Sequence, residues 1–339
     1  MKLRRIVAMT ALALVVLACA GIAWAMANAE TSDRPVGFQV ANAGDGTAMP
    51  IAIWYPTTAL PRPTTLLGLS LLDVARGGPV KGNGLPLVVI SHGNGGGPAS
   101  HADLAMVLAS AGYVVAAPMH AGDNYLEQDG MGKAGFWAGR NAQLRMAVDF
   151  MVRRWSGRER IDATRIGAFG FSAGGFTVLS AAGAVPDLGQ VARHCAETPE
   201  FVCTVLEHAR SPLLEPGSAE EAFGADPRIR AIVIAAPGLG FTMARPGSLS
   251  SVTVPVQLWA GGLDDRVPVS SNVAPLLEAL PGATEYHLVP KAGHIAFLAP
   301  CRILRPAELC RDAPGFDRAA FHEDMNHEVF RFFDAHLRK

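Results

Sequence analysis

Residues 166–175 constrain the fold of this chain more than any other stretch. They begin as a short apolar run, pass through Gly-Phe-Ser-Ala-Gly, and lead into a small-residue segment, 176–183, whose composition suits a helix. This order predicts a buried strand, a sharp turn and a helix, with Ser172 on the turn. Gly170 and Gly174 predict close backbone approaches that a Cβ would block. A serine in this place presents its hydroxyl at the carboxyl edge of a sheet, although a turn without chemistry has the same pattern.

Apolar runs typical of strands buried on both faces recur along the chain. They are residues 85–91, 113–118, 229–235, 254–260 and 285–289. Segments with helical composition separate or follow these runs, at residues 99–111, 140–155, 269–280 and 316–337. The alternation predicts a mostly parallel central sheet with helices on both faces, in a single domain that spans residues 30–339.

Three stretches depart from this alternation. Residues 36–40 and 49–56, joined by a turn through residues 44–46, predict an opening antiparallel hairpin. Residues 57–84 contain several Pro and Gly and predict a surface excursion near one sheet edge. Residues 186–227 follow the helix after Ser172 and break into prolines and short polar segments, which we interpret as a lid insertion that shapes a substrate pocket. An ordinary peripheral excursion is the alternative for this last stretch.

The first 29 residues have the pattern of a secretory signal peptide. Three basic residues precede a charge-free apolar run, and Ala27 and Ala29 are small residues suited to a cleavage site. Two alternatives are an uncleaved membrane anchor, because the apolar run is long enough to span a bilayer, and a lipoprotein site at Cys19. We therefore expect a secreted or periplasmic protein, with membrane contact only through this leader if it is retained.

Four cysteines remain after the leader, as two close pairs. They are Cys195 with Cys203 and Cys301 with Cys310. Exported chains meet an oxidising compartment, so two local disulfides are the economical assignment among three possible connectivities. A zinc site is the competing interpretation, but no CxxC spacing supports it.

The charge balance argues against a nucleic-acid partner. The chain has 29 Lys and Arg against 30 Asp and Glu, for a formal net charge of −1, without long runs of one sign. Binding to phosphates requires a clustered excess of basic residues, which this sequence does not have.

Two further candidate residues follow later strands, in the order Ser, Asp, His. Asp264 and Asp265 come after the strand at 254–260, and His294 comes after the last predicted strand. Parallel strands bring their carboxyl ends to one edge, so these side chains can meet Ser172 there. His294 would then activate the serine hydroxyl, and one carboxylate would orient the imidazole. We favour Asp264, with Asp265 capping the next helix or pairing with Arg266.

Catalysis by a serine also requires N–H donors for the oxyanion of a tetrahedral intermediate. Ala173, directly after Ser172, is one candidate backbone donor. The second is expected from the glycine-rich loop after residues 85–91, where the backbone N–H of Asn94 is the best-placed donor. The loop lacks the Lys-Ser/Thr ending of a phosphate-binding P-loop.

Four motifs, taken in order, resemble those of the α/β-hydrolase superfamily. They are residues 91–96, 170–175, 261–264 and 293–297. Over residues 36–339 the chain looks like bacterial proteins described as predicted dienelactone hydrolases, with similarity to platelet-activating-factor acetylhydrolases. True dienelactone hydrolases use a cysteine nucleophile, whereas Ser172 stands at that place here, so their lactone substrate does not carry over. The resemblance implies the α/β-hydrolase fold and ester hydrolysis through an acyl-enzyme, without metal or cofactor.

Together these patterns predict an exported serine hydrolase that acts on a small-molecule ester. One alternative is a non-catalytic binding module of the cell envelope, because a fold alone does not establish a function. Another is a peptidase or an acyltransferase that uses the same three side chains.

Overall fold

The structure is a computed structural model that describes residues 2–44, 46, 48–66, 68, 70–215, 221–302 and 306–338. For residues 2–9, 11, 12 and 15 it describes the backbone only. In this part of the chain, no helix combines the length and the apolar character that crossing a membrane requires. Asp45 of the predicted hairpin turn and residues 216–220 of the predicted lid lie outside the described residues.

In the described part of the chain, ten strands form one sheet. They are β1 Val36–Asn42, β2 Pro50–Pro56, β3 Arg62–Leu66, β4 Ser70–Arg76, β5 Leu85–Ser91, β6 Val114–Pro118, β7 Ile161–Phe171, β8 Ile229–Ala235, β9 Val256–Gly261 and β10 Thr284–Val289. The strand order across the sheet is β10-β9-β8-β7-β5-β6-β2-β1-β4-β3. The six strands from β5 to β10 are parallel to their neighbours within that group, and the β1–β2 hairpin joins antiparallel to β6. The predicted mostly parallel sheet is confirmed.

Eight α-helices of the described residues surround or precede the sheet. They are α1 Lys2–Asn28, α2 Ala102–Ser110, α3 Phe136–Arg153, α4 Ala173–Ala181, α5 Gln190–Glu197, α6 Phe201–His208, α7 Ala274–Ala279 and α8 Arg318–Leu337. One apolar core lies between the sheet and α3 and α4, and a second lies between the opposite face and α2 and α8. Helices therefore cover both faces, as predicted. All seven residues of β5 are buried, which explains its apolar run without alternation.

The prediction for residues 57–84 was wrong in one respect. These residues include the antiparallel strands β3 and β4, which extend the edge of the sheet next to β1. Leu71, Leu72 and Val74 of β4 are buried, so part of the stretch belongs to the apolar core. The Pro and Gly residues that favour a loop in the sequence lie mostly in the turns before, within and after this hairpin.

Residues 186–227 also contain more regular structure than predicted. Helices α5 and α6 lie here, and the disulfide Cys195–Cys203 joins them with a Cα–Cα distance of 5.4 Å. The second disulfide, Cys301–Cys310, closes a loop between β10 and α8. Both pairings are those expected from the sequence.

Candidate active site

Ser172 lies on a strained turn between β7 and α4. Its backbone angles are φ 56° and ψ −120°, a region that non-glycine residues rarely adopt and that commonly marks functional sites. A Cβ on Gly170 would lie 2.1 Å from the carbonyl oxygen of Gly174, and one on Gly174 would lie 2.0 Å from the carbonyl oxygen of Ser91. Only glycine fits at both places, which is why the sequence can form this turn.

His294 connects Ser172 to a carboxylate. Its Nε2 lies 2.9 Å from Ser172 Oγ, and its Nδ1 lies 2.7 Å from Asp264 Oδ2. With the Nδ1–H donating to Asp264, Nε2 is the atom that accepts the serine hydroxyl proton. The imidazole is mostly buried and packs against the ring of Phe171, with 4.8 Å between ring centroids. The structure brings these predicted side chains within hydrogen-bonding distance of each other.

The two neighbouring aspartates have different environments. Asp264 is buried, and its Oδ1 accepts the backbone N–H groups of Arg266 and Val267 at 3.0 and 2.8 Å. These bonds hold the carboxylate so that Oδ2 faces His294. Asp265 is exposed, and the carboxylate bonded to the imidazole is that of Asp264. The expected pairing of Asp265 with Arg266 is not what the structure shows, because that guanidinium lies over the ring of Phe201 at 4.7 Å.

The two candidate oxyanion donors belong to separate elements that meet at Ser172, and both residues line the same cavity as the serine. Ala173 is the first residue of α4, so its N–H has no acceptor within the helix. The loop after β5 passes next to the serine, since a Cβ on Gly93 would lie 3.3 Å from the Cβ of Ser172. The side chain of Asn94 donates to Asp123, which leaves its backbone N–H as the group available to a ligand.

A cavity of about 430 Å³ opens above these groups. Ser172, His294, Asn94 and Ala173 all line it. Its other walls are mainly apolar, with contributions from α6 and from the loops on both sides of the serine. These apolar lining residues include Tyr125, Met131, Trp137, Phe201, Val202, Val205, Leu239, Ile295, Leu298 and Leu309.

A buried polar network beneath the glycine-rich loop was missed in the sequence. It contains Asp123, from the loop after β6, and Arg140, from α3, together with His92 and His120. Burial, reinforced by the charge of Arg140, lowers the pKa of His92 to about 4 and the pKa of His120 well below its usual value. Both rings are therefore neutral near neutral pH. The one available signal was the cluster of polar residues directly after the strand at 113–118, which is the edge where the other site residues lie.

A second histidine–carboxylate pair lies away from the cavity. His322 Nδ1 is 2.6 Å from Asp103 Oδ2, and its Nε2 is 2.9 Å from the carbonyl oxygen of Ala296. Burial alone raises the pKa of Asp103, but the charge of His322 and hydrogen bonds from His322 and Asn326 outweigh it and hold the pKa well below its usual range. No hydroxyl nucleophile is placed against this histidine among the described residues.

The topology and the turn at Ser172 together define the α/β-hydrolase fold. Comparison with solved structures agrees: a ferulic acid esterase from Streptomyces cinnamoneus aligns with a TM-score of 0.59 and 19% identity, over 91% of this chain and 93% of that chain. Residues 61–125 match the family model described as platelet-activating factor acetylhydrolase, isoform II. No curated protein matches the sequence. Because 816 solved chains match the structure, the likeness identifies a widespread fold and not a particular substrate.

Proposed function

We propose that the protein is an exported serine hydrolase that cleaves carboxylic esters through an acyl-enzyme. The observation that carries this proposal is the chain of hydrogen bonds Asp264–His294–Ser172, which ends at a hydroxyl on the wall of an apolar cavity. A serine with a purely structural role would not need this strained backbone conformation, which commonly marks functional sites.

The proposed reaction has two halves. In the first, Ser172 Oγ attacks the ester carbonyl while His294 Nε2 takes the hydroxyl proton and then gives it to the leaving alcohol. The carbonyl oxygen becomes an oxyanion, which the N–H groups of Asn94 and Ala173 stabilise. In the second half, His294 Nε2 removes a proton from water as the water oxygen attacks the acyl carbon. The bond between the acyl carbon and Ser172 Oγ then breaks, His294 returns the proton to Oγ, and the free acid leaves. Asp264 keeps its charge throughout and holds the imidazole tautomer.

The similarity findings support ester hydrolysis from two directions. The matched residues 61–125 include the loop that carries Asn94, but none of the other four proposed groups, Ser172, Ala173, Asp264 and His294. The solved structure that aligns over most of this chain is an esterase by its own description. A closer relation to dienelactone hydrolases rests on the sequence motifs alone.

Two features support export and a lid. Disulfides such as Cys195–Cys203 persist in oxidising compartments, which agrees with the leader-like pattern of the first 29 residues. Helix α6 contributes Phe201, Val202 and Val205 to the cavity, so the insertion that carries it would contact the acyl or alcohol group of a substrate. The apolar walls favour an ester with an apolar group over a strongly charged one.

The test is a panel of p-nitrophenyl esters from acetyl to decanoyl, with the matching anilides, assayed with wild type and Ser172→Ala. We expect ester hydrolysis by wild type and its loss in the variant, together with labelling of wild type alone by a fluorophosphonate probe. Undiminished hydrolysis by Ser172→Ala contradicts the proposal. Absence of both hydrolysis and labelling in wild type favours the non-catalytic binding module, and faster cleavage of anilides favours a peptidase.

A further inference from the structure

Asp123 and Arg140 form a buried ion pair directly beneath the glycine-rich loop. Each side chain is only 1% exposed, and Arg140 Nη1 donates to Asp123 Oδ2. The other carboxylate oxygen, Oδ1, accepts two hydrogen bonds from the loop. They come from Asn94 Nδ2 at 2.6 Å and from the backbone N–H of Gly95 at 2.7 Å. Asp123 therefore binds both the side chain of Asn94 and the backbone N–H of the next residue.

Arg140 binds the other elements of the site. Its Nη2 donates to the carbonyl oxygen of His92, which precedes the loop, and its Nε donates to Thr177 Oγ1 at 3.1 Å. The hydroxyl of Thr177 in turn donates to the carbonyl oxygen of Ala173 at 2.8 Å. The guanidinium thus connects the end of β5 to the first turn of α4.

These contacts reach the elements that carry both proposed oxyanion donors. On one side the pair holds the backbone around Asn94, and on the other it holds Ala173 through Thr177. Neither Asp123 nor Arg140 is among the residues that line the cavity, so neither is placed to touch a substrate. The pair is therefore arranged to fix the spacing of two donors on separate elements.

We propose that the buried Asp123–Arg140 ion pair is a positioning device that sets the geometry of the oxyanion hole formed by Asn94 and Ala173. This inference depends on the proposed function, because it assigns a role within the same ester hydrolysis. In this role, the Asp123–Arg140 pair affects stabilisation of the transition state, whereas the cavity walls bind the ground-state ester.

Stability alone is a poor explanation for keeping two charges here. Removing two ions from water is costly, and replacing a buried ion pair by apolar residues of similar size is often neutral or stabilising. The neighbouring His92 and His120 are neutral, so neither adds a second positive charge beside Arg140. The ion pair makes directed hydrogen bonds to the loop and to α4, which an apolar pair could not make.

The main test is the double variant Asp123→Leu with Arg140→Met, which removes both charges together and so avoids an unpaired buried ion. Its activity is measured on a soluble p-nitrophenyl ester, alongside the affinity for two ligands of matched chain length. One is a trifluoromethyl ketone: the serine hydroxyl adds to its carbonyl carbon, and the resulting oxyanion lies in the oxyanion hole. The other is the corresponding amide, which competes as a ground-state ligand.

We expect kcat and the affinity for the ketone to fall together by about 10² in the double variant, because loss of a single oxyanion donor costs about 10²–10³ in kcat. The KM and the affinity for the amide should change little. Equal kcat and equal ketone affinity in a folded variant overturn the inference, as does a parallel loss of amide affinity. Inactive wild type would instead contradict the proposed function itself.

A smaller change keeps the inference testable if the double variant does not fold. Thr177→Val keeps the shape of the side chain but removes the hydroxyl between Arg140 and Ala173, whereas Thr177→Ser keeps the hydroxyl. We expect Thr177→Val to lower kcat at unchanged KM and Thr177→Ser to restore it. Equal kcat in the valine and serine variants contradicts the inference.

The control is the ion pair between Asp226 and the more exposed Arg228, which also binds Asp149 and has no hydrogen bond to the glycine-rich loop among the described residues. Asp226 is buried, and Arg228 Nη2 lies 2.6 Å from its Oδ2. Asp226→Asn with Arg228→Gln should lower stability without changing kcat or the affinity for the ketone. A loss of ketone affinity in this control as large as in the double variant would show a general effect of lost ion pairs.

Discussion

Among the described residues, two buried histidines have Nδ1 against an aspartate with nearly the same geometry, and one of the two faces the cavity. His294 and His322 each have Nδ1 within 2.7 Å of an aspartate oxygen, and both rings are buried. They differ in the partner of Nε2. In His294 this nitrogen faces the hydroxyl of Ser172 at the cavity, whereas in His322 it faces the carbonyl oxygen of Ala296 inside the protein.

This difference shows that a short histidine–carboxylate bond is not by itself a sign of catalysis. A general base needs a ring nitrogen with a transferable proton partner and access to substrate. Both ring nitrogens of His322 face oxygen acceptors, one from Asp103 on α2 and one from Ala296 on the turn that begins at His294. His322 therefore connects α8 to α2 and to this turn. The two pairs should therefore respond in opposite ways to the same substitution.

The largest expected effect is on activity, in His294→Ala. Removal of the base should lower kcat by about 10⁶, as for single losses in a serine triad. Two backbone N–H groups still bind the Asp264 carboxylate, so the urea midpoint should fall less than in His322→Ala. The measurement is steady-state hydrolysis of a p-nitrophenyl ester with the unfolding curve of the same preparation. Residual activity within tenfold of wild type would place the base elsewhere and remove the contrast with His322.

The choice between Asp264 and Asp265 gives the next largest effect. Asp264→Asn should lower kcat by about 10⁴, because an amide at this place favours the wrong imidazole tautomer. Asp265→Asn is the matched control on the neighbouring exposed residue, and its kcat should stay within a factor of two or so of wild type. A greater loss in Asp265→Asn than in Asp264→Asn would reverse the assignment drawn from the hydrogen bonds.

His322→Ala should show the opposite behaviour to His294→Ala. It leaves the buried Asp103 carboxylate without its cationic partner, which typically destabilises a protein by about 3–5 kcal/mol. We expect the urea midpoint to fall while kcat per folded molecule is kept. Because the pKa of Asp103 is lowered in the folded state, its contribution is full above about pH 4 and declines as the pH falls further. A stable variant with reduced kcat would contradict the structural role of His322.

The sequence was sufficient for much of the fold and for the three side chains of the proposed site. Residues 85–91 and 229–235 were predicted to the residue as β5 and β8, because buried parallel strands are continuous apolar runs. Ser172, Asp264 and His294 were placed together because each follows a strand of a parallel sheet, and such strand ends share one edge.

The parts that could not be predicted depend on partners distant in sequence. Strands β3 and β4 pair mainly with each other at a sheet edge, and their short run of mixed residues carries little periodic signal. Asp123 and Arg140 are ordinary charged residues in the sequence, and only the folded chain shows that they meet beneath the loop. In the same way, nothing in the sequence distinguished the carboxylate partner of His322, since Asp103 lies 219 positions away.

The smallest predicted effect concerns His101, a buried histidine that has none of the partners of the other two. It packs edge-on against Phe169 and Phe171, and neither ring nitrogen has a hydrogen-bond partner among the described residues. Burial lowers the pKa of His101 to about 3, even though Asp103 acts in the opposite direction. The folded protein therefore holds this ring neutral, while the unfolded chain binds a proton below about pH 6.5.

His101→Leu should keep or increase the free energy of unfolding at neutral pH, by about 1 kcal/mol, because it removes buried polar atoms without partners. As the pH falls below about 6.5, the unfolded wild type gains a proton that its folded state does not, so wild type loses up to about 1.4 kcal/mol per pH unit at this residue. Leucine does not titrate, so the stability difference should widen towards about pH 5. Urea unfolding of both proteins across this range measures it. A stability difference that stays constant with pH would mean that folded His101 binds a proton as readily as the unfolded chain does. The two oxygen partners of His322 allow such protonation, whereas the ring nitrogens of His101 have no partner among the described residues.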